Sequence, residues 1–456
     1  MNNKSADLTQ GPLLKQIVLY TIPIILTGIL QLLFNAADLV VVGQYCGSVS
    51  VGAVGATGPV INLITNLFIG FSVGSGVSVA HAIGAGKEDE IHRVIHTSIP
   101  LALICGLILT VVGIAGAEYI LELMKTPEEA IRLSALYMKI YFGGIISSMI
   151  YNFGAAILRA AGDTRSPLVH LTIAGVLNVI LNLIFVIAFN MDVAGVALAT
   201  IISQTLSAAL ILRTLMKRTD ACKLVLKNMK IYMRPLFKIL RIGFPAGIQG
   251  SLFSISNVII QSSVNSFGAV AVAGNAAAQN IEGFVYTAMN SITQSALNFT
   301  GQNHGAKKFD RVKKTAFISL GFVMFVGLSL GISAYIFSRP LLSIYISDSE
   351  EAVKYGIVRL LYICVPYCLC GVMDVSTGLL RGLGSSILPM IITVAGVCGF
   401  RIVWIYSIFS IPQYHTLETL YISYIISWTM TFAVQIALYT VMFCLKKKKA
   451  LSVGVL

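Results

Sequence analysis

One acid stands in an apolar stretch near the start of the chain: Asp38, within Gly28-Ile-Leu-Gln-Leu-Leu-Phe-Asn-Ala-Ala-Asp-Leu-Val-Val-Val-Gly43. Read as a helix, Gln31, Asn35 and Asp38 fall at i, i+4 and i+7 and form one polar stripe on an apolar cylinder. An ionisable group inside a membrane span costs roughly 2.5–3.5 kcal/mol, so its presence points to function. One carboxylate among amide and hydroxyl oxygens suits a monovalent hard cation. Desolvation disfavours the charged form, so the same group suits a proton equally well. A second donor set has the same character. Asn178 and Asn182 share a helix face at i, i+4, and Thr200, Ser203 and Gln204 line the next segment. Plain inter-helix hydrogen bonding is the alternative role for the two asparagines. The second half of the chain holds Glu282, Asp374 and Arg401 inside apolar segments. An unpaired buried charge is costly, so these three either pair with one another or face a cavity and attract organic cations. Phe284, Tyr286 and Met289 beside Glu282 suit broad apolar binding, although such residues also serve as core.

The elements that must hold these residues are membrane helices. With 56% hydrophobic and 11% charged residues and a mean hydropathy of +0.85, the chain lacks the roughly 25% charge of a soluble domain. Apolar runs predict twelve spans, at about 15–42, 53–82, 97–117, 133–158, 167–190 and 193–215, then about 239–266, 272–300, 315–338, 355–380, 387–410 and 418–444. Pro23, Pro245 and Pro366 are expected bends. The polar start, Met1 to Pro12, has no cleavage-type sequence after the first span, so that span is expected to stay. The net charge of +13 is concentrated in Lys217 to Arg241, Lys307 to Lys314 and Lys446 to Lys449. The alternate loops carry Glu118, Glu122, Glu128, Glu129, Asp192, Asp348, Glu350 and Glu351. This is the positive-inside bias, which places both termini in the cytoplasm and argues against a nucleic-acid partner.

Landmarks recur at one offset. Pro23 matches Pro245 at 222, as do Leu158-Arg159-Ala-Ala-Gly162 and Leu380-Arg381-Gly-Leu-Gly384, and Glu128-Glu129-Ala130 and Glu350-Glu351-Ala352. Gly47 matches Gly268 and Gly84-Ala85 matches Gly305-Ala306 at 221. Each copy holds an even number of spans, so the two are parallel repeats. The expected domains are an N-terminal lobe over 1–216, a basic linker over 217–238, a C-terminal lobe over 239–445 and a basic tail over 446–456. Within the repeat Ile260 occupies the position of Asp38, on a stripe of Ser254, Asn257, Gln261 and Asn265. The halves therefore share a plan and differ in charge. Gly70-x3-Gly74 and Gly243-x3-Gly247 fit close helix packing. The eight cysteines lie mainly in apolar segments without metal-ligand spacing. His81, His170 and His304 are given structural roles by default. No phosphate-binding loop or nucleophile elbow occurs, since Gly84-Ala-Gly86-Lys87 runs into Glu88, so neither ATP drive nor an enzyme is indicated.

In this order the residues resemble the MATE family of multidrug and toxic compound extrusion transporters, end to end. The resemblance rests on Pro23 and Asp38, Gly84-Ala85, Leu158-Arg159-Ala-Ala-Gly162-Asp163-Thr164, Ala194-Gly195-Val-Ala-Leu-Ala-Thr200 and Leu380-Arg381-Gly-Leu-Gly384. It looks closest to the MepA- and DinF-like bacterial branches. It implies an all-α membrane protein of twelve helices in two six-helix lobes forming a V, exporting organic cations in exchange for sodium ions or protons, with no cofactor. It also implies a cation site of Asp38, Asn178, Asn182 and Thr200, to which the stripe adds Asn35. Relatives of the DinF type often carry an acid where Asn182 stands, and Asp374 lies about one turn from the family's tenth-helix acid position, held here by Cys370. Gln31, Asn257, Glu282, Asp374, Tyr286 and Met289 are the candidate substrate contacts. The expected setting is a monomer in the bacterial cytoplasmic membrane. A lipid-linked saccharide flippase, a dedicated metabolite or peptide exporter and a passive channel are the alternatives; the first is disfavoured by few basic residues in the spans. Counted from Lys15 at ~1.5 Å per residue, Asp38 lies roughly 35 Å up its helix, towards the outer leaflet, and is expected to load its ion from outside.

Overall fold

The computed structural model describes residues 7–124, 126, 128–346 and 349–452; the first six residues, Asp348 of the acidic loop and the last four lie outside them. Among the described residues every regular element is helical. The first half holds α1 (Leu13–Tyr45), α2 (Ser48–Gly84), α3 (Glu88–Leu123), α4 (Glu128–Gly143) and α5 (Ile145–Ala160). After them come α6 (Arg165–Leu183), which runs into a π turn at Ile184–Ala188, and α7 (Asp192–Lys217). The second half begins with α8 (Met233–Asn265), α9 (Ala269–Gly305), α10 (Phe309–Ile336) and the short α11 (Ser338–Ser343). The next are α12 (Glu350–Arg359), with a π turn at Leu360–Cys364, and α13 (Tyr367–Gly382). Then α14 (Ile387–Thr393) and α15 (Phe400–Tyr406) flank a π segment at Val394–Gly399, and α16 (Leu417–Ser452) closes the series.

Eight helices are long and apolar enough to cross a bilayer, and two bent pairs, α4 with α5 and α12 with α13, raise the number to ten. Outside that count stand α8, which opens on Arg234, Lys238 and Arg241, and α9, which carries Asn, Gln and Ser along its length. Their 33 and 37 residues are ample to span, and they repeat α1 and α2, so the chain is a twelve-helix, multi-pass membrane protein. Conformation follows the repeat closely. The bent pairs turn by 50° and 43°, and the breaks fall at Gly144 and Pro366, again 222 apart. Pro366 was the expected bend; Gly144 does the same work, where a Cβ would sit 2.4 Å from Ile201. By contrast α1 and α8 run on through Pro23 and Pro245. Gly162 and Gly384 share φ +84°, and Lys307 takes φ +58° where the first copy has Gly86 at +64°.

Two compact units divide inside helices. Unit 1 contains Ile22–Ser251, and unit 2 contains Thr9–Thr21 with the chain from Leu252. The boundary thus differs from the expected linker over 217–238, for a physical reason: that segment is docked within unit 1. His96 Nε2 accepts from the Val225 amide at 3.0 Å and Thr97 Oγ1 from the Tyr232 amide at 3.1 Å. Cys222 and Leu224 are buried, and Arg218 is held by Asp220. Although burial pushes the Asp220 carboxyl up, its hydrogen bonds and charge contact with Arg218 prevail and hold it below the usual range.

The glycine pairs meet each other in unit 1. A Cβ at Gly70 would lie 2.3 Å from the Gly247 nitrogen, and one at Gly247 would lie 2.2 Å from the Leu67 carbonyl oxygen. At the equivalent crossing in unit 2, α1 meets α9 through Thr21 and Ser295, whose hydroxyls are 2.7 Å apart. Gly247→Ala is therefore expected to destabilise by about 1–3 kcal/mol through overpacking. Gly283→Ala, with nothing within 4 Å of its Cβ, should be neutral or gain up to about 1 kcal/mol of helix propensity. Thermal unfolding in detergent compares the two.

Candidate functional site

The site is built where α1 lies against α6 in unit 1. Gly175 makes the close approach: a Cβ there would fall 1.8 Å from the ring of Phe34, so only glycine lets the two backbones come together. One turn beyond Phe34 on α1 is Asp38; two turns beyond Gly175 on α6 is Asn182. Asn182 Nδ2 donates to Asp38 Oδ1 at 2.5 Å and lies 3.3 Å from Asn178 Oδ1. Asn178 Nδ2 in turn donates to Thr200 Oγ1 on α7 at 3.4 Å, and that hydroxyl donates to the Val196 carbonyl at 3.0 Å. Asp38, Asn178, Asn182 and Thr200 are thus joined in one chain of hydrogen bonds. A π turn begins two residues after Asn182, as such turns often do beside functional residues.

The electrostatics are one-sided. Among the described residues the Asp38 carboxylate has a single hydrogen-bond partner, the Asn182 amide, and makes no ion pair. Asn182 is fully buried, and its own carbonyl Oδ1 has no partner. Tyr137 of α4, 8% exposed, lies within electrostatic reach of Asp38. The residue was missed in the sequence because nothing in its local pattern announces a contact across a hundred residues. A partly buried carboxylate beside an orphan amide oxygen lacks a positive partner, and a cation or a proton supplies one. Asn35 and Gln31 remain on the α1 stripe, both exposed. At the repeat position Ile260 is 3% exposed within an apolar cluster with Val264, Ala271 and Ile363. The second copy has a core residue where the first has its acid.

In unit 2 Glu282 has a partner outside the three expected charges. Glu282 pairs with neither Asp374 nor Arg401 but with Arg359, whose Nε and Nη2 reach its two oxygens at 2.6 and 2.8 Å. Arg359 Nη1 also donates to Asn275 Oδ1, which accepts from the Tyr421 hydroxyl at 3.0 Å. Glu282 is 6% exposed and committed to this pair, not presented to a cavity. Asp374 lies within electrostatic reach of Tyr286 and of the Arg381 charge. Tyr286 stacks on Tyr367 with centroids 6.3 Å apart. Met289, expected to touch substrate, is 1% exposed, and a Cβ at Gly327 would lie 3.0 Å from its sulfur. It fills the core between α9, α10 and α13. Asn257 is exposed on α8.

The comparisons with known proteins agree with this architecture. The MatE family model matches residues 23–184 and again 245–407, one match per repeat. Probable multidrug resistance protein YoeA of Bacillus subtilis is 28% identical over 392 residues, covering 84% of each chain. Probable multidrug resistance protein YpnP of the same organism is 30% identical over 396 residues, covering 85% of this chain and 87% of its own. A solved structure described as the outward-facing conformation of a multidrug resistance MATE family transporter superposes with a TM-score of 0.89. It is 23% identical and covers 98% of this chain and all of its own, which speaks to the fold. Two copies of one family model, laid over the two repeats that carry the partly buried acid and its apolar counterpart, place this chain in the MatE family of membrane transporters.

Proposed function

We propose that the chain is a multidrug efflux antiporter of the cytoplasmic membrane, exporting small organic cations in exchange for sodium ions or protons. The observation that carries this reading is the Asp38–Asn182–Asn178–Thr200 chain, an acid with no basic partner among the described residues, linked to amide and hydroxyl groups. The names of the YoeA and YpnP relatives, probable multidrug resistance proteins, support multidrug efflux. The basic loops give the orientation, with both termini in the cytoplasm. The Asp38 end of α1 then opens outward, and the ion loads there. Loading must favour one state of the carrier by its own differential affinity, or nothing is coupled. Parallel repeats are suited to alternating access. The flippase alternative asks for several free cationic groups on the spans, and Arg359 is already committed to Glu282.

Dye efflux from membrane vesicles, under a sodium gradient and a proton gradient imposed separately, tests the reading. Export driven by one gradient and lost when it is collapsed is expected; export that survives collapse of both marks a passive path. Asn182→Asp probes the site itself. It sets a second carboxylate against the oxygen that Asn182 now serves at 2.5 Å, so the two must share a proton or a cation. The pH profile of export should move by on the order of one unit or more, and an unchanged profile would mean that the α6 residue takes no part.

A further inference from the structure

Arg359, Arg381 and Arg401 of unit 2 stand on membrane helices, and the first two have a carboxylate within electrostatic reach. Arg359 is clasped by Glu282, and Arg381 faces the charge of Asp374. Arg401 on α15 has none. It is 3% exposed and, among the described residues, makes no ion pair. The groups acting on it electrostatically are Tyr424, Cys370, Cys398 and Tyr367, with no acid among them. Its guanidinium carbon lies 3.7 Å from the centroid of Tyr424 and 5.7 Å from that of Trp428. The Nε donates to Ser427 Oγ at 3.1 Å, and Nη2 has no acceptor.

The two rings answer part of this problem. A ring face attracts the cation, but the N–H donors of a guanidinium lie in its plane and need acceptors. Arginine keeps its proton in proteins, so the site cannot neutralise itself as a buried lysine would. Ser427 begins a polar ladder on α16 that is uncommitted in part. Ser427, Thr431 and Gln435 follow one another at one-turn spacing and are all fully or almost fully buried. Thr431 Oγ1 has no partner, and a Cβ at Gly396 would lie 2.3 Å from it. Ser427 Oγ accepts from Nε and gives its own hydrogen to the Tyr424 carbonyl at 2.9 Å, and the Cys398 thiol donates to the Leu252 carbonyl at 3.6 Å, so what is left over is the Nη2 edge of the guanidinium and its charge.

We propose that Arg401, with Ser427 beside it, binds a single monovalent anion, either a free halide or the carboxylate of a bound molecule. One unpaired cation balances one negative charge; a dianion would leave the buried site charged again. The inference goes beyond cation coupling at Asp38 and does not depend on it, because it concerns the other unit and a group of opposite sign. If the anion arrives as a halide, unit 2 carries a resident counter-ion. If it arrives as a carboxylate, the carrier accepts cargo with an acidic group.

Trp428 reports on the site. The chain has two tryptophans, Trp404 and Trp428, so Trp404→Phe leaves one emitter beside Arg401. Iodide, which quenches indole on contact, is titrated into the full chain in detergent at constant ionic strength balanced with methanesulfonate. Quenching is expected to saturate, and Arg401→Gln is expected to turn the saturating curve into a straight line. Ser427→Ala should raise the half-saturating iodide concentration several-fold, which keeps the test decisive if the arginine variant fails to fold. Chloride displacing iodide better than benzoate identifies a halide site; benzoate displacing it better identifies a carboxylate site. Linear quenching in the parent chain, or saturation unchanged in Arg401→Gln, overturns the proposal.

Discussion

Asp38→Asn is expected to abolish gradient-driven export while leaving the chain folded and able to bind dye. The amide keeps the shape of the carboxylate, and its oxygen can still accept from Asn182 Nδ2 as Asp38 Oδ1 does. It removes a charge that costs roughly 2.5–3.5 kcal/mol inside a span, so thermal stability should hold or rise. What it loses is the group that draws an ion. A carrier whose two states bind the ion equally well is not driven by the gradient, however well it binds its cargo. Dye accumulation in energised vesicles should fall to the level of vesicles without the protein, with dye binding to the purified variant unchanged. Ile260→Asp, the mirror change at an apolar core position, should confer no coupling and should destabilise, because it buries an acid where the neighbours are Val264, Ala271 and Ile363.

Breaking the Glu282–Arg359 pair should have the largest effect on stability. Two charge-assisted bonds at 2.6 and 2.8 Å join side chains that are 8% and 4% exposed. The guanidinium also anchors Asn275 and lies 5.4 Å from the Tyr421 ring centroid, so α9, α12 and α16 meet on it. Removing one partner of such a pair leaves a bare buried charge and costs about 3–5 kcal/mol. Glu282→Gln and Arg359→Gln are each expected to lower the unfolding temperature and the yield of folded protein sharply. The double substitution should recover much of the loss, since two amides can bond to each other and no charge remains. If the double variant is as unstable as the sum of the singles, the pair is not what holds these helices together.

Features with a periodic or repeated signature were legible in the sequence; features that depend on one distant partner were not. Apolar runs gave the helices, and the offset of 222 gave the repeat, down to matching positive φ at Gly162 and Gly384. The pairing of Asp38 on α1 with the asparagines on α6 came from the family resemblance rather than from either helix face alone, and Asp38 and Asn182 do meet. The glycine motifs on α2 and α8 were readable as close-packing surfaces and proved to be partners. Arg359 escaped notice because it ends a short polar helix, α12, and its partner is 77 residues away. The break at Gly144 was hidden because glycine, unlike Pro366, does not break a helix by its own chemistry, and the neighbour a side chain there would strike, Ile201 on α7, is distant in sequence. The basic segment after α7 read as a tether because its charges dominate, while the features that dock it are backbone amides meeting His96 and Thr97.

The central claim is that Asp38 carries the coupling ion, and ion movement itself tests it most directly. Proteoliposomes loaded with dye should show inward sodium or proton flux in step with outward dye flux for the parent chain. For Asp38→Asn the account predicts dye binding without ion counterflow. Counterflow at the parent rate in that variant would contradict it.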